Sequence, residues 1–193
     1  VLKSFGEELA MTGRSWGELS DAEGAELSAR LTRELAPKLQ NELLLSTAQY
    51  QHLLTRIEIL AERAVLRLIS FDRVSKFHPT AFEQSFGMGI HGLPPLSYRL
   101  EAGYRLEIRG QIDRVDRSED GRYFMIIDYK TGQAYINLLE VYYGLKLQLL
   151  TYLLVEWSYL KREEGEILPA AMLYCFLKNP LITNPYRLSD GEV

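Results

Sequence analysis

The stretch "GQIDRVDRSEDGRYFMIIDYKTG", residues 110–132, restricts this chain more than any other. Two strand-like runs flank the turn cluster "RSEDGR", so the segment reads as a β-hairpin. Acids sit where a folded sheet should resist them. Asp128 ends the apolar run "YFMII", Lys130 follows two residues later, and Asp113 lies in the partner strand just after Ile112.

The rest of the chain frames that hairpin. Residues 1–76 read as helical: Ser20 or Asp21 caps a helix with Leu27, Leu31 and Leu35 at four-residue spacing, and Pro37 marks a break or the next helix start. A second helix is expected from Asn41 to about Phe71, with Leu53, Ile57, Leu60, Ala64 and Leu68 as its apolar stripe. "KFHPTAFEQSFGMGIHGLPPL" reads as an irregular connection with an extended piece around Phe82–Phe86. A hairpin turning near Glu101–Gly103 leads into the main one. "LLEVYYGLKLQLLTYLLVEWSYLKREEG" then reads as one buried helix, and "LPAAMLYCFLKNP" as a last strand ended by Pro180. Strands after helices, with a buried helix between strands, point to α/β architecture.

A length of 193 residues suits one domain, with or without an appended helical part. Hydrophobic residues at 47% and charged residues at 25% make an ordinary globular composition. No apolar run approaches a membrane span, so no membrane partner is expected. Cys175 is the only cysteine, which excludes an internal disulfide framework and suits the cytoplasm. An opening without methionine suggests a piece of a longer chain. The net charge of −4 gives no bulk attraction for nucleic acid, so any such surface must be local.

Alternate strand residues share a face, which sets Asp128 with Lys130 and Ile126, and Asp113 with Val115. Across adjacent strands the two carboxylates can approach each other, and they repel unless a cation joins them. A hard divalent ion suits two carboxylates and a backbone carbonyl, here that of Tyr129. Lys130 can then orient metal-activated water or offset charge on a phosphate. The acid-x-Lys triplet alone is weak, since chance gives about one in such a chain. Gln148 and Tyr152, four apart, share a helix face with Val141, Leu145, Val155 and Tyr159, and a Gln within an apolar stripe needs a partner. The bland alternatives are an ion-paired hairpin end for the acids and core packing for Tyr152. Arg114 with Asp116 reads as a cross-strand or surface ion pair. Arg99, Arg105 and Arg109 read as a solvated mixed-charge hairpin with Glu101 and Glu107. His52, His78 and His91 lack ligand spacing.

"GQIDRVD", "IIDYKTG" and "LQLLTYL" resemble the second, third and Gln-x-x-x-Tyr motifs of PD-(D/E)xK nucleases of the RecB type. More narrowly, "HPTAFEQSFG", "LPPLSYRL", "EVYYGLKLQLLTYL" and "PAAMLYCFLKNPLI" resemble the C-terminal nuclease domains of the AddB/RexB family. The resemblance implies a restriction-endonuclease-like α/β core with a small mixed sheet: residues 1–76 as its helical N-terminal part, 77–182 as the nuclease core and 183–193 as a tail. It implies Mg²⁺ or Mn²⁺ held by Asp113, Asp128 and the Tyr129 carbonyl, and Lys130 as the catalytic lysine. Gln148 and Tyr152 would contact DNA or support the site, and Glu83 would fill the acidic position of the first motif. It further implies DNA as substrate and an AddA/RexA-like helicase–nuclease partner subunit in the resection of double-strand breaks.

Two family features have no counterpart here. The active-site histidine of such domains would fall before Val1, and Cys175 does not match the cysteines of the iron–sulfur cluster that many relatives carry. Any such cluster would therefore be a feature of the full-length parent, with no ligands in this segment. Two competing functions remain: a catalytically silent nuclease fold used for assembly or DNA guiding, and a stand-alone RecB-type exonuclease.

Overall fold

A computed structural model describes residues 1–38, 48–90, 92–132 and 134–177. The expected helix start at Asn41, His91, Pro180 and the 183–193 tail lie outside the described residues. The elements run α1 (Leu2–Thr12), α2 (Asp21–Leu35), α3 (Ala48–Val74), β1 (Phe77–Phe86), β2 (Leu96–Arg99), β3 (Arg105–Ile108), β4 (Gly110–Ser118), β5 (Tyr123–Lys130), α4 (Leu138–Tyr142), α5 (Gln148–Glu163) and β6 (Leu168–Phe176).

Four strands form the main sheet in the order β1-β4-β5-β6, and β2 with β3 forms a separate two-stranded ribbon. β1, β4 and β5 run antiparallel, whereas β6 joins β5 in parallel after the α4–α5 crossover. The β4–β5 turn closes at Gly121, whose φ of 68° favours glycine. This is the mixed-sheet α/β arrangement expected from the sequence.

Helices cover both faces. On one side Phe5, Leu9, Trp16, Leu19, Leu31, Val65, Leu68 and Ile69 from α1–α3 and their connections form a core that takes in Phe82, Tyr129 and Cys175 of the sheet. On the other, Leu149, Val155 and Leu160 of α5 pack with Val115, Phe124 and Ile126. α2 begins with a capping box: the Ser20 hydroxyl accepts from the Glu23 N–H, and the Glu23 carboxylate returns to Ser20 N–H. A 3₁₀ turn at Ala36–Lys38 follows α2, where Pro37 breaks it.

Several local expectations change. The single long helix is two, α4 and α5, because Gly144 turns the chain at φ 76°. Leu138, Tyr142 and Leu145 are then exposed at 77%, 81% and 73%, so the first part of that apolar run is not core. α3 buries Ala64, Val65, Leu68 and Ile69 but exposes Leu53, because the covering core reaches only its C-terminal half. The extended piece at Phe82–Phe86 grows into a ten-residue strand from Phe77. Pro79 fits because β1 is an edge strand and the register shifts between Pro79 and Ala81. Arg114 and Asp116 are not a surface pair: both side chains are fully buried, bonded Nε to Oδ1 at 2.5 Å and Nη2 to Oδ2 at 2.7 Å. The Arg114 guanidinium also lies 5.5 Å from the Trp16 ring centre.

Candidate active site

β4 and β5 pair from Arg117–Phe124 up to Arg114–Ile127, and then the ladder stops. Just beyond, the Asp113 carboxylate replaces the missing backbone partner by accepting from the Tyr129 N–H at 2.7 Å. Both backbone polar groups of a strand residue point to the same edge, so the Tyr129 carbonyl also faces the gap where β4 has left. The Lys130 carbonyl points the other way and accepts from Leu177 N–H of the β6 side at 2.9 Å. Asp113, Asp128 and the Tyr129 carbonyl thus converge on one sheet end.

The next link is a relay of side chains. Lys130 Nζ sits 2.6 Å from Asp128 Oδ2, an oxygen that is buried with no other partner among the described residues. Lys130 also donates to Gln148 Oε1 at 2.9 Å, and Gln148 Nε2 donates to the Tyr152 hydroxyl at 3.0 Å. The Tyr174 ring of β6 flanks the ammonium at 5.4 Å. Gln148 opens α5, so the four-residue spacing delivers both groups to the β5 terminus. Tyr152 serves packing as well, edge-on to Phe86 with ring centres 6.0 Å apart.

Electrostatics mark the same place. Burial raises the Asp113 pKa, and the Asp128 charge adds to it, while the Tyr129 N–H works against them. Burial alone would lower Lys130, but the hydrogen bond and charge of Asp128 hold its pKa above the usual lysine value. Two crowded carboxylates, one with an oxygen lacking any neutral donor, are chemically suited to a hard cation. Among the described residues no three His, Cys, Asp or Glu side chains cluster for a metal, so an ion held here would have to draw on backbone oxygen or water as well. The Tyr129 side chain points away into the helical core, where burial pushes its hydroxyl up to about 12.

Glu83 stands apart from the relay. It shares a cavity of about 310 Å³ with Asp113 and Tyr129, and its charge acts on Asp113. Its own partner is Lys3 at 3.4 Å, half exposed, and its backbone has φ 46°. His78 lies at the far end of β1, bonded through Nδ1 to the buried Asp72 at 3.0 Å. It links helix to sheet and is remote from the site.

The family model for the PD-(D/E)XK nuclease superfamily matches residues 1–191. The chain belongs to the PD-(D/E)XK nuclease superfamily. Its mixed sheet between helices is the restriction-endonuclease-like fold, and nucleases of this superfamily generally use divalent metal ions. Over its whole length the domain is 39% identical to an ATP-dependent helicase/deoxyribonuclease subunit of Desulforamulus reducens. It is 38% identical to proteins of the same name from Bacillus anthracis and Bacillus mycoides. The domain spans 17% of the length of each of these relatives.

Proposed function

We propose that this nuclease domain is the metal-dependent DNA exonuclease module of an ATP-dependent helicase–nuclease that resects double-strand breaks for recombinational repair. The single observation that supports it most is the meeting of Asp113, Asp128 and Lys130 where β4 and β5 part. The names of its relatives supply the setting: one subunit of a larger assembly, hence a partner helicase–nuclease subunit of the AddA/RexA kind, with DNA as substrate. In this reading residues 77–182 carry the core, 1–76 its helical part and 183–193 a tail, all working in the cytoplasm.

Asp113, Asp128 and the Tyr129 carbonyl would hold Mg²⁺, or Mn²⁺ in its place. When bound, the ion supplies Lewis acidity and a water of lowered pKa. Lys130 presents its ammonium to the water and to the phosphate that gains negative charge during in-line attack. Gln148 holds that ammonium, and Tyr152 holds Gln148. Glu83 adjusts the field at Asp113 from the cavity rim. An iron–sulfur cluster, where the parent has one, draws its ligands from outside this segment.

The test is degradation of end-labelled linear DNA in Mg²⁺ by the domain and by its Asp128→Ala variant. Cleavage confined to the parent domain supports the reading. Because the family histidine has no counterpart in this segment, a domain that binds metal and DNA yet cuts nothing would favour the silent assembly module only if a longer chain carrying that histidine is inactive too. Relatives about six times longer than the chain argue against a stand-alone exonuclease.

A further inference from the structure

The β2–β3 ribbon lies in sequence between Phe86 and Gly110, the last residue pair of the β1–β4 ladder. Gly110 is three residues from Asp113, or about 10 Å along a strand. Because β5 runs antiparallel to β4, this is also the sheet end that carries Asp128 and Lys130. The ribbon therefore springs from the rim of the active site.

Its register sorts its side chains into two faces. Leu96 pairs with Ile108 and Tyr98 with Leu106 on one; Ser97 pairs with Glu107 and Arg99 with Arg105 on the other. At its root Leu96 and Ile108 pack on the main core, which seats an element too small to stand alone. On the polar face two arginines stand directly opposite each other, an arrangement that repels and weakens a strand pair. Glu107 does not resolve it, being shared between Arg105 at 3.1 Å and Arg109 at 3.0 Å. Arg99 has no partner among the described residues, and all three arginines are exposed. Gly87 fixes the root of the row: a Cβ there would come within 2.6 Å of Arg109 Cγ. A chain of net charge −4 thus places three arginines, against Glu101 at the ribbon tip and Glu107 on its polar face, beside its paired carboxylates.

We propose that the β2–β3 ribbon is a phosphate-binding arm, with Arg99, Arg105 and Arg109 taking backbone phosphates of the DNA strand that enters the Asp113–Asp128 site. This rests on the nuclease reading and adds how the strand is held. Guanidinium groups suit the task because each offers paired donors to a phosphate's oxygens. The backbone anion also relieves the Arg99–Arg105 repulsion, so the strained pair is preset for its ligand.

The test is fluorescence anisotropy with a labelled single-stranded oligonucleotide, in Ca²⁺ to prevent cleavage, over a range of salt concentrations. Wild type is compared with Arg99→Ala/Arg105→Ala and with the charge-keeping Arg99→Lys/Arg105→Lys. The alanine pair should weaken binding at low salt by roughly tenfold and reduce the slope of log K against log salt by about 1.4, for two lost phosphate contacts. The lysine pair should keep the slope. The alanine pair should melt no lower than wild type, since it removes a repulsion, and should bind Mn²⁺ unchanged, which reads the metal centre separately. Unchanged affinity and slope in the alanine pair overturn the arm and point instead to the apolar face, with Tyr98 and Leu106, as a protein-docking surface. A wild-type domain that binds Mn²⁺ but no DNA at low salt also overturns it.

Discussion

The carboxylate of Asp113 accepts a 2.7 Å hydrogen bond from the backbone N–H of Tyr129, closing the β4–β5 pair with a side chain where the ladder has ended. One contact does two things. It satisfies a donor that the parting strands would leave bare, and it aims the neighbouring carbonyl and carboxylates at the same space. The strand separation that leaves space at this sheet end is thereby stabilised by one of the proposed ligand residues.

Asp113→Asn separates these roles. Asparagine keeps an oxygen for the Tyr129 N–H but loses the charge. Thermal unfolding should shift little, about 1 kcal/mol or less, while Mn²⁺ affinity measured by calorimetry should fall at least tenfold. A large loss of stability with metal affinity retained would mean that Asp113 is structural only.

Lys130→Ala should lower the DNA cleavage rate by roughly 10²–10³-fold while metal still binds, because it removes charge stabilisation and not a ligand. Tyr152→Phe should cost less than about tenfold, since it deletes only the anchor of Gln148 and keeps the packing against Phe86. The reverse ranking in single-turnover assays would break the proposed relay.

The α/β class was legible in the sequence, and so were two side-chain contacts of the candidate site. Strand parity alone pairs Asp128 with Lys130, and helix spacing joins Gln148 to Tyr152, because both rules are local. The direction of the Tyr129 carbonyl depends on where β4 leaves β5, which no periodicity encodes. The break at Gly144 was hidden because apolar residues continue through it, although several of them face solvent. Charge order along β2–β3 reads as alternating signs; only the register sets Arg99 against Arg105. Glu156 had no signal at all, a lone acid in an apolar helix that looks like its solvent face yet is 3% exposed.

Glu156 should make stability fall as pH rises. Burial pushes its pKa from 4.5 to about 7, with Glu164 adding to the rise and Arg117 opposing it. Between those values the folded state holds a proton that the unfolded state has lost, so stability decreases across that window and levels off above it. The Glu156→Gln variant should lose this slope and gain up to about 3 kcal/mol relative to wild type between pH 5 and pH 8. Urea unfolding at both pH values checks it; parallel behaviour of the two proteins would show that the carboxyl is solvated.

The buried Arg114–Asp116 pair should be costly to break and cheap to replace. Arg114→Met leaves Asp116 charged and alone, for a loss of about 3–5 kcal/mol. Arg114→Met/Asp116→Leu should recover most of that loss in the same chemical unfolding experiment. Equal destabilisation of both variants would locate the effect in packing against Trp16 and not in charge.

Asp113, Asp128 and the Tyr129 carbonyl should together bind a divalent ion. Calorimetric titration of Mn²⁺ into the domain and its Asp128→Ala variant tests this most directly, since it needs neither turnover nor partner subunits. Saturable binding by the domain that disappears in Asp128→Ala is the predicted result. No binding by either protein, or equal binding by both, would contradict it.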